Sequence, residues 1–83
     1  MEHALMMARS LTRGQRMWRR LYNSGIRSDL RKAPTGLTGQ GCNYVLQVSR
    51  QQLNDVLRIL RGSDLAPQTV WVWEENGYRE WME

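Results

Sequence analysis

The sequence contains one cysteine, one histidine and no phenylalanine among its 83 residues. A single cysteine excludes an internal disulfide, and together with one histidine it cannot build the ligand set of a structural zinc site. A lone thiol also fits a reducing compartment. We therefore expect a cytoplasmic protein with no metal site and no cofactor.

Long apolar runs are also missing. No stretch approaches the roughly 18 residues of a membrane-spanning helix, and no secretory signal opens the chain, so we expect no membrane partner. The GLTGQG stretch lacks the Lys and Ser or Thr of a phosphate-binding loop and the following helix of a dinucleotide fingerprint. Asp29, Asp55 and Asp64 are too scattered for paired-carboxylate catalysis, and His3, near the N-terminus, is interpreted as structural. These absences favour a carrier or binding protein over a stand-alone catalyst.

Composition indicates a folded protein, with 41% hydrophobic and 24% charged residues. A chain this short forms one domain, residues 1–83, and buries only about 60% of its unfolded surface, so a homodimer would add stability. The net charge of +4 is uneven. Residues 1–32 carry seven arginines and one lysine against two acids, a net +6, and the remainder carries −2. This bias indicates either an anionic partner or a solvated helix face.

The first part of the chain predicts a strand followed by a helix. The apolar run His3–Ala8 reads as a buried strand. Ser10 or Thr12 can cap a helix that continues to Tyr22 and ends before Gly25 at the C′ position. The predicted inner face of this helix consists of Leu11, Gly14, Trp18 and Leu21. Gly14 would allow a close approach to the sheet.

The rest of the chain predicts three more strands and a second helix. Alternation over residues 26–33 and 42–48 indicates two strands, separated by the glycine-rich loop 34–41. A Ser49–Gln52 capping box opens the second helix, and Gly62 stops it. The predicted inner face of this helix consists of Leu53, Val56, Leu57 and Leu60. A β-branched and aromatic strand follows at residues 69–73.

This order predicts an α+β fold, a ferredoxin-like βαββαβ sandwich with two helices on one face of a four-stranded antiparallel sheet. The core would span residues 3–73. Asn76-Gly77 predicts a C-terminal hairpin extension over residues 74–83, with Glu74 opposite Arg79 and Val72 opposite Trp81. The hairpin leaves more apolar surface than one sheet face can bury. Trp71 and Trp73 are therefore candidate partner-binding residues.

Cys42 is the only plausible chemical centre. In the predicted topology the start of the third strand lies beside the end of the first, near Arg9, Ser10 and Thr12. A helix N-terminus and an arginine lower the pKa of a thiol from about 8.5 toward neutrality. The backbone N–H groups at Gly39 and Gly41 can bind an anion. The alternative, a buried Cys42 that serves only for packing, stays open at this point.

Several segments resemble the Se/S carrier protein-like family, small bacterial domains of unknown function that are sometimes joined to a sulfur-carrier domain. The resemblance covers most of the chain and is carried by HALMMA, LYNSGIRSDLRKAP, GQGCNYVLQV and VLRIL. Gly25, Ile26, Pro34, Cys42 and Leu57 fall in register with it. The chain departs from the family at Asn43, where Cys-Gly is common, and in its tryptophan-rich C-terminal hairpin.

The resemblance implies a sulfur or selenium carrier. Cys42 would accept the chalcogen as a persulfide or perselenide from a cysteine desulfurase-like donor and pass it to an acceptor protein. A basic surface that includes Arg9, Arg13 and Arg16 would guide the docking partner.

Two alternatives from other classes stay open. An RNA-binding domain could stack bases on Tyr44, Trp71 and Trp73, but no RNP-like motif is present and Tyr44 fits the core better, so nucleic acid is not the expected partner. A dimeric interaction or regulatory module could use the tryptophan hairpin as its interface and Cys42 only for packing.

Overall fold

The computed structural model describes residues 3–33, 44–74 and 77–81. They form an α+β fold in which two helices pack on a five-stranded antiparallel sheet of order β2-β3-β1-β4-β5. The elements are β1 His3–Ala8, α1 Leu11–Asn23, β2 Asp29–Lys32, β3 Tyr44–Ser49, a 3₁₀ turn Arg50–Gln52, α2 Leu53–Gly62, β4 Val70–Glu74 and β5 Gly77–Glu80. No helix in these ranges is long and apolar enough to cross a membrane.

β1 and β3 are central antiparallel neighbours, as expected from the topology. Their side chains alternate between the two faces, so every second residue points toward the helices. Both helices pack on this one face. The core there combines Ala4, Met6, Ala8, Leu46, Val48, Val70 and Val72 of the sheet with Met17, Leu21, Leu53, Val56, Leu57 and Leu60 of the helices. The opposite face also holds buried side chains, namely Leu5, Met7 and Val45.

The sheet has five strands, where the sequence predicted four with a hairpin extension. The extension is itself the fifth strand, because β5 pairs along β4. Its register differs from the predicted one: Glu74 lies opposite Gly77, and Val72 lies opposite Arg79. The difference is two residues, which leaves each side chain on its expected face. Burial therefore does not distinguish the two registers, although the Asn76-Gly77 signal favoured the wrong one.

α1 begins where the sequence predicts, but its buried face is different. Gly14, Met17 and Leu21 are buried, whereas Leu11 and Trp18 are 42% and 37% exposed. The buried residues Gly14, Met17 and Leu21 are also separated by three and four residues. The helical period is therefore compatible with both the predicted and the observed inner face. Only packing on the sheet selects between them.

Gly14 makes the predicted close approach to the sheet. A Cβ built on Gly14 would lie 2.9 Å from Leu30 Cδ1 and 3.4 Å from Ala8 Cβ. A larger side chain at this position would therefore require either the Leu30 side chain or α1 itself to move.

α1 ends as predicted. Gly25 has a φ of +80°, and the N–H groups of Gly25 and Ile26 donate to the carbonyls of Tyr22 and Leu21. These two bonds form a Schellman motif with glycine at C′.

α2 differs from the prediction at both ends. Ser49 makes no side-chain capping bond, because the 3₁₀ turn separates it from the helix. Gly62 is still helical, and Asp64 instead adopts the left-handed conformation, with a φ of 58°. The Leu65 N–H donates to the Leu60 carbonyl at 2.8 Å, so Asp64 occupies C′ of a second Schellman motif.

The strand boundaries agree with the prediction only in part. β1 has the predicted bounds, whereas β2 is shorter and starts at Asp29. Ile26 and Ser28, predicted to point inward from this strand, are buried although they precede its first residue. β4 is shifted by one residue, to Val70–Glu74.

Candidate functional site

The N-terminus of α1 lies at the end of β1, next to the start of β3. Ala8 pairs with Tyr44, the first described residue of β3. Ser10 caps α1: its Oγ accepts the N–H of Arg13 at 3.2 Å, and its carbonyl accepts the N–H of Gly14 at 2.9 Å. The first of these bonds confirms the capping role predicted for Ser10.

Arg9, Ser10 and Thr12, three of the residues predicted for the site, are close together in the chain and exposed. The first turn of α1 contains no acidic side chain. The N–H groups of Leu11 and Thr12 donate to no described residue. The partial positive charge of this helix end is therefore not compensated within the described part of the chain.

Three other predicted site residues, Gly39, Gly41 and Cys42, lie outside the described residues. Their role in binding a chalcogen or an anion stays a prediction.

Arg13 and Arg16 border a groove between α1 and the end of α2. The Nη2 of Arg13 donates to the carbonyl of Asp64 at 3.1 Å, and the Nε of Arg20 donates to the Oγ of Ser63 at 2.8 Å. These two arginines therefore tie α1 to the C-terminal end of α2. The groove has a volume of about 440 Å³ and is lined by Arg13, Arg16, Arg19, Arg20, Asn23, Ser63, Asp64 and Leu65.

Trp71 and Trp73 lie on the sheet face that the helices do not cover, and their role in partner binding stays a prediction. Trp73 stacks on His3, with 5.8 Å between ring centroids, and meets Tyr78 edge to face at 4.9 Å. The Nε2 of His3 also lies 2.7 Å from the hydroxyl oxygen of Tyr78. This cluster ties β1, β4 and β5 together. His3 thus has a packing role, in agreement with its interpretation as a structural residue.

An ion-pair cluster lies on the helix-facing side of β4. Arg79 donates two hydrogen bonds to the carboxylate of Glu74, at 2.9 and 3.0 Å, and Arg50 approaches the same group at 3.5 Å. The hydrogen bond from Arg79 lowers the pKa of Glu74, and Arg50 adds to the effect. The Arg50 guanidinium also lies 4.5 Å from the ring centre of Trp81.

Sequence reasoning missed one exposed aromatic pair. The rings of Trp18 and Tyr22 stack at 5.3 Å with an interplanar angle of 14°. Trp18 was expected in the core, so the pair was not anticipated. The four-residue spacing of two aromatics on a basic helix is the signal that could have found it.

Within the described ranges, no three His, Cys, Asp or Glu side chains are grouped so that they could hold a metal ion. Comparisons of the chain with protein-family models, with curated proteins and with solved structures found no match.

Proposed function

We propose that the protein is a sulfur or selenium carrier that holds a persulfide or perselenide on Cys42 and transfers it to a partner protein. The observation that carries this proposal is the pairing of Ala8 with Tyr44, beside the exposed start of α1. Cys42 precedes Tyr44 by two residues, so covalent geometry keeps their Cα atoms within about 7.6 Å. The resemblance to the Se/S carrier protein-like family supports the same assignment.

The electrostatics of this region favour a bound anion. Arg9 is exposed and makes no ion pair with a described residue. The N–H groups of Leu11 and Thr12, at the helix N-terminus beside it, donate to no residue in the described part of the chain. A thiolate or a terminal persulfide anion placed there would be stabilised by the positive charge of Arg9 and by the partial positive charge of the helix N-terminus. The same charges would attract a donor with an acidic surface.

The transfer step needs no external oxidant. The Cys42 thiolate attacks the terminal sulfur of a donor persulfide, a new S–S bond forms on Cys42, and the donor S–S bond breaks. The donor leaves as a thiolate, so the sulfane sulfur moves without net oxidation. Because the chain has only one cysteine, release requires a nucleophile on the acceptor.

Incubation with a cysteine desulfurase and L-cysteine, followed by intact-mass measurement, tests the proposal. Wild type should gain the mass of one sulfur atom, and Cys42→Ser should gain none. The absence of a gain on wild type, or an equal gain on Cys42→Ser, would refute the carrier function.

A second measurement tests the electrostatic argument. Arg9→Gln should shift the pH profile of Cys42 alkylation by iodoacetamide to higher pH. Arg19→Gln is the matched control, since it removes the same charge about 15 Å farther along α1. If both variants shift the profile equally, the effect is a general charge effect and Arg9 has no specific role.

We also propose that β1–β4 and the two helices form a ferredoxin-like unit to which β5 adds an edge strand. The split βαβ order and the central position of β1 and β3 support this interpretation. The homodimer and the identities of the donor and acceptor stay predictions.

A further inference from the structure

A second groove lies between α1 and the chain segment that leads into β2. Its volume is about 350 Å³, which is within the range of small-ligand pockets. Its walls are the stacked rings of Trp18 and Tyr22, and its floor is the turn after α1. The described residues that line it are Trp18, Tyr22, Gly25, Ile26, Arg27 and Ser28.

The aromatic wall is held in place before any ligand binds. The indole Nε1 of Trp18 donates to the carbonyl of Ser28 at 3.2 Å, which fixes one ring against the turn. Tyr22 stacks on that ring and is 66% exposed, so much of the phenol is accessible. A planar group could stack there with little ordering cost.

Ser28 contributes its backbone to this groove, because its carbonyl accepts the indole N–H of Trp18. Its side-chain hydroxyl has almost no accessible surface and no hydrogen-bond partner among the described residues, so a ligand in the groove would not reach it.

The surface around the groove is basic. α1 contains four arginines and no acidic residue. Arg19 follows Trp18 in the helix and is three residues from Tyr22, so it borders the aromatic wall. Arg16, Arg19 and Arg27 are exposed and form no ion pair with a described residue. The positive surface thus extends from this groove to the arginine-lined groove beside α2.

We propose that the outer face of α1 binds single-stranded nucleic acid. One base stacks on Tyr22 beside Trp18. Phosphates of the same strand pair with Arg27, Arg19 and Arg16. This surface is separate from the sheet aromatics and does not involve Cys42, so it extends beyond the carrier function.

Two observations favour a nucleic-acid strand over other anions. The arginines follow a helix that is about 20 Å long, which exceeds the reach of one mononucleotide. The ordered pair of nearly parallel rings suits the π-face of a base, whereas an acidic protein segment would need only the arginines.

Fluorescence anisotropy with a labelled single-stranded RNA of about ten nucleotides tests this proposal. Wild type should bind the RNA, and affinity should fall steeply with salt. Tyr22→Ala should weaken binding about tenfold, whereas Tyr22→Phe should retain it, because stacking needs only the ring. Leu11→Ala is the control, because Leu11 is an exposed hydrophobic residue of α1 that does not line the groove.

The contribution of the arginine charges to RNA binding is tested with a second pair of variants. Arg19→Gln should lower the slope of log affinity against log salt by about 0.7, the value for one lost phosphate contact on a single strand. Arg58→Gln changes the net charge equally but lies on α2, beside Asp55, and should leave the slope unchanged. Circular dichroism should show that all variants remain folded.

Several results would overturn the proposal. They are no RNA binding by wild type, equal weakening by Leu11→Ala and Tyr22→Ala, and equal slopes for the two arginine variants. Competition by a mononucleotide as strong as that by the unlabelled strand would indicate a nucleotide site instead. Equal competition by poly-glutamate would indicate unspecific anion binding. Sulfur loading of Cys42 is measured separately, so failure of either proposal leaves the other intact.

Discussion

Asp64→Gly should stabilise the protein, because Asp64 closes α2 in a left-handed conformation with a φ of 58°. Removal of its Cβ from that conformation relieves about 1 to 2 kcal/mol. Loss of the carboxylate itself has little net effect, because its unfavourable interaction with the helix C-terminus is opposed by the arginines of α1 that line the same groove. The greater conformational freedom of glycine in the unfolded chain reduces the stabilisation by about 0.5 to 1 kcal/mol. The net gain is about 1 kcal/mol, or a rise in Tm of about 4 to 8 °C for a domain of this size.

Gly62→Ala provides the decisive comparison. Gly62 is the last residue of α2, and a Cβ built there would have no neighbour within 4 Å. Alanine should therefore add up to about 1 kcal/mol through its higher helix propensity. If Gly62 were instead the left-handed residue that stops the helix, alanine would destabilise the protein by a similar amount. The sign of the effect thus distinguishes the two helix ends.

Urea unfolding followed by far-UV circular dichroism measures both variants. Asp64→Asn is the control, because it removes the charge while keeping a side chain that tolerates the left-handed region. It should leave the unfolding midpoint nearly unchanged. A lower unfolding midpoint for Gly62→Ala, or for Asp64→Gly, would refute the assignment of Asp64 to C′.

Two further predictions follow from packing and charge. Gly14→Val should destabilise the protein by about 1 to 3 kcal/mol in urea unfolding, because the valine side chain would overlap Leu30 and Ala8. Gln15→Val, on the exposed side of the same helix, should cost well under about 1 kcal/mol. Equal costs would contradict the close packing of Gly14. The pKa of Glu74 lies below 4.5 in the folded protein, so the stabilisation from its ionised form is complete above that pH and disappears as pH falls through the lowered pKa. The difference in Tm between wild type and Glu74→Gln should therefore shrink on acidification, and a difference independent of pH would contradict the coupling of Glu74 to Arg79.

Local sequence signals were sufficient for most secondary structure. The apolar run of β1 gave its bounds, and Ser10 and Gly25 marked the two ends of α1. These signals depend on hydrogen bonds and backbone conformations within a few residues. A single sequence therefore contains the information needed to find them.

Choices between equivalent patterns could not be made from the sequence. The arrangement of α1 allowed either Trp18 or Met17 on the inner face, and the hairpin allowed two registers that bury the same side chains. The end of α2 depended on which residue accepts the left-handed conformation. In each case the competing states satisfy the same local rules and differ only in contacts with distant residues.

The candidate sites also differ in whether local sequence or tertiary packing determines them. The sequence by itself determined the single cysteine, the basic first third of the chain and the alternation of helices and strands. Only the tertiary structure decided that Trp18 and Tyr22 form an exposed stack, held by the hydrogen bond from the Trp18 indole to the Ser28 carbonyl. It also placed His3 against Trp73 and Tyr78, which are separated from it by most of the chain. Such sites arise from the rotation of a helix on its sheet and from strand pairing, and both are set by packing that local sequence does not encode.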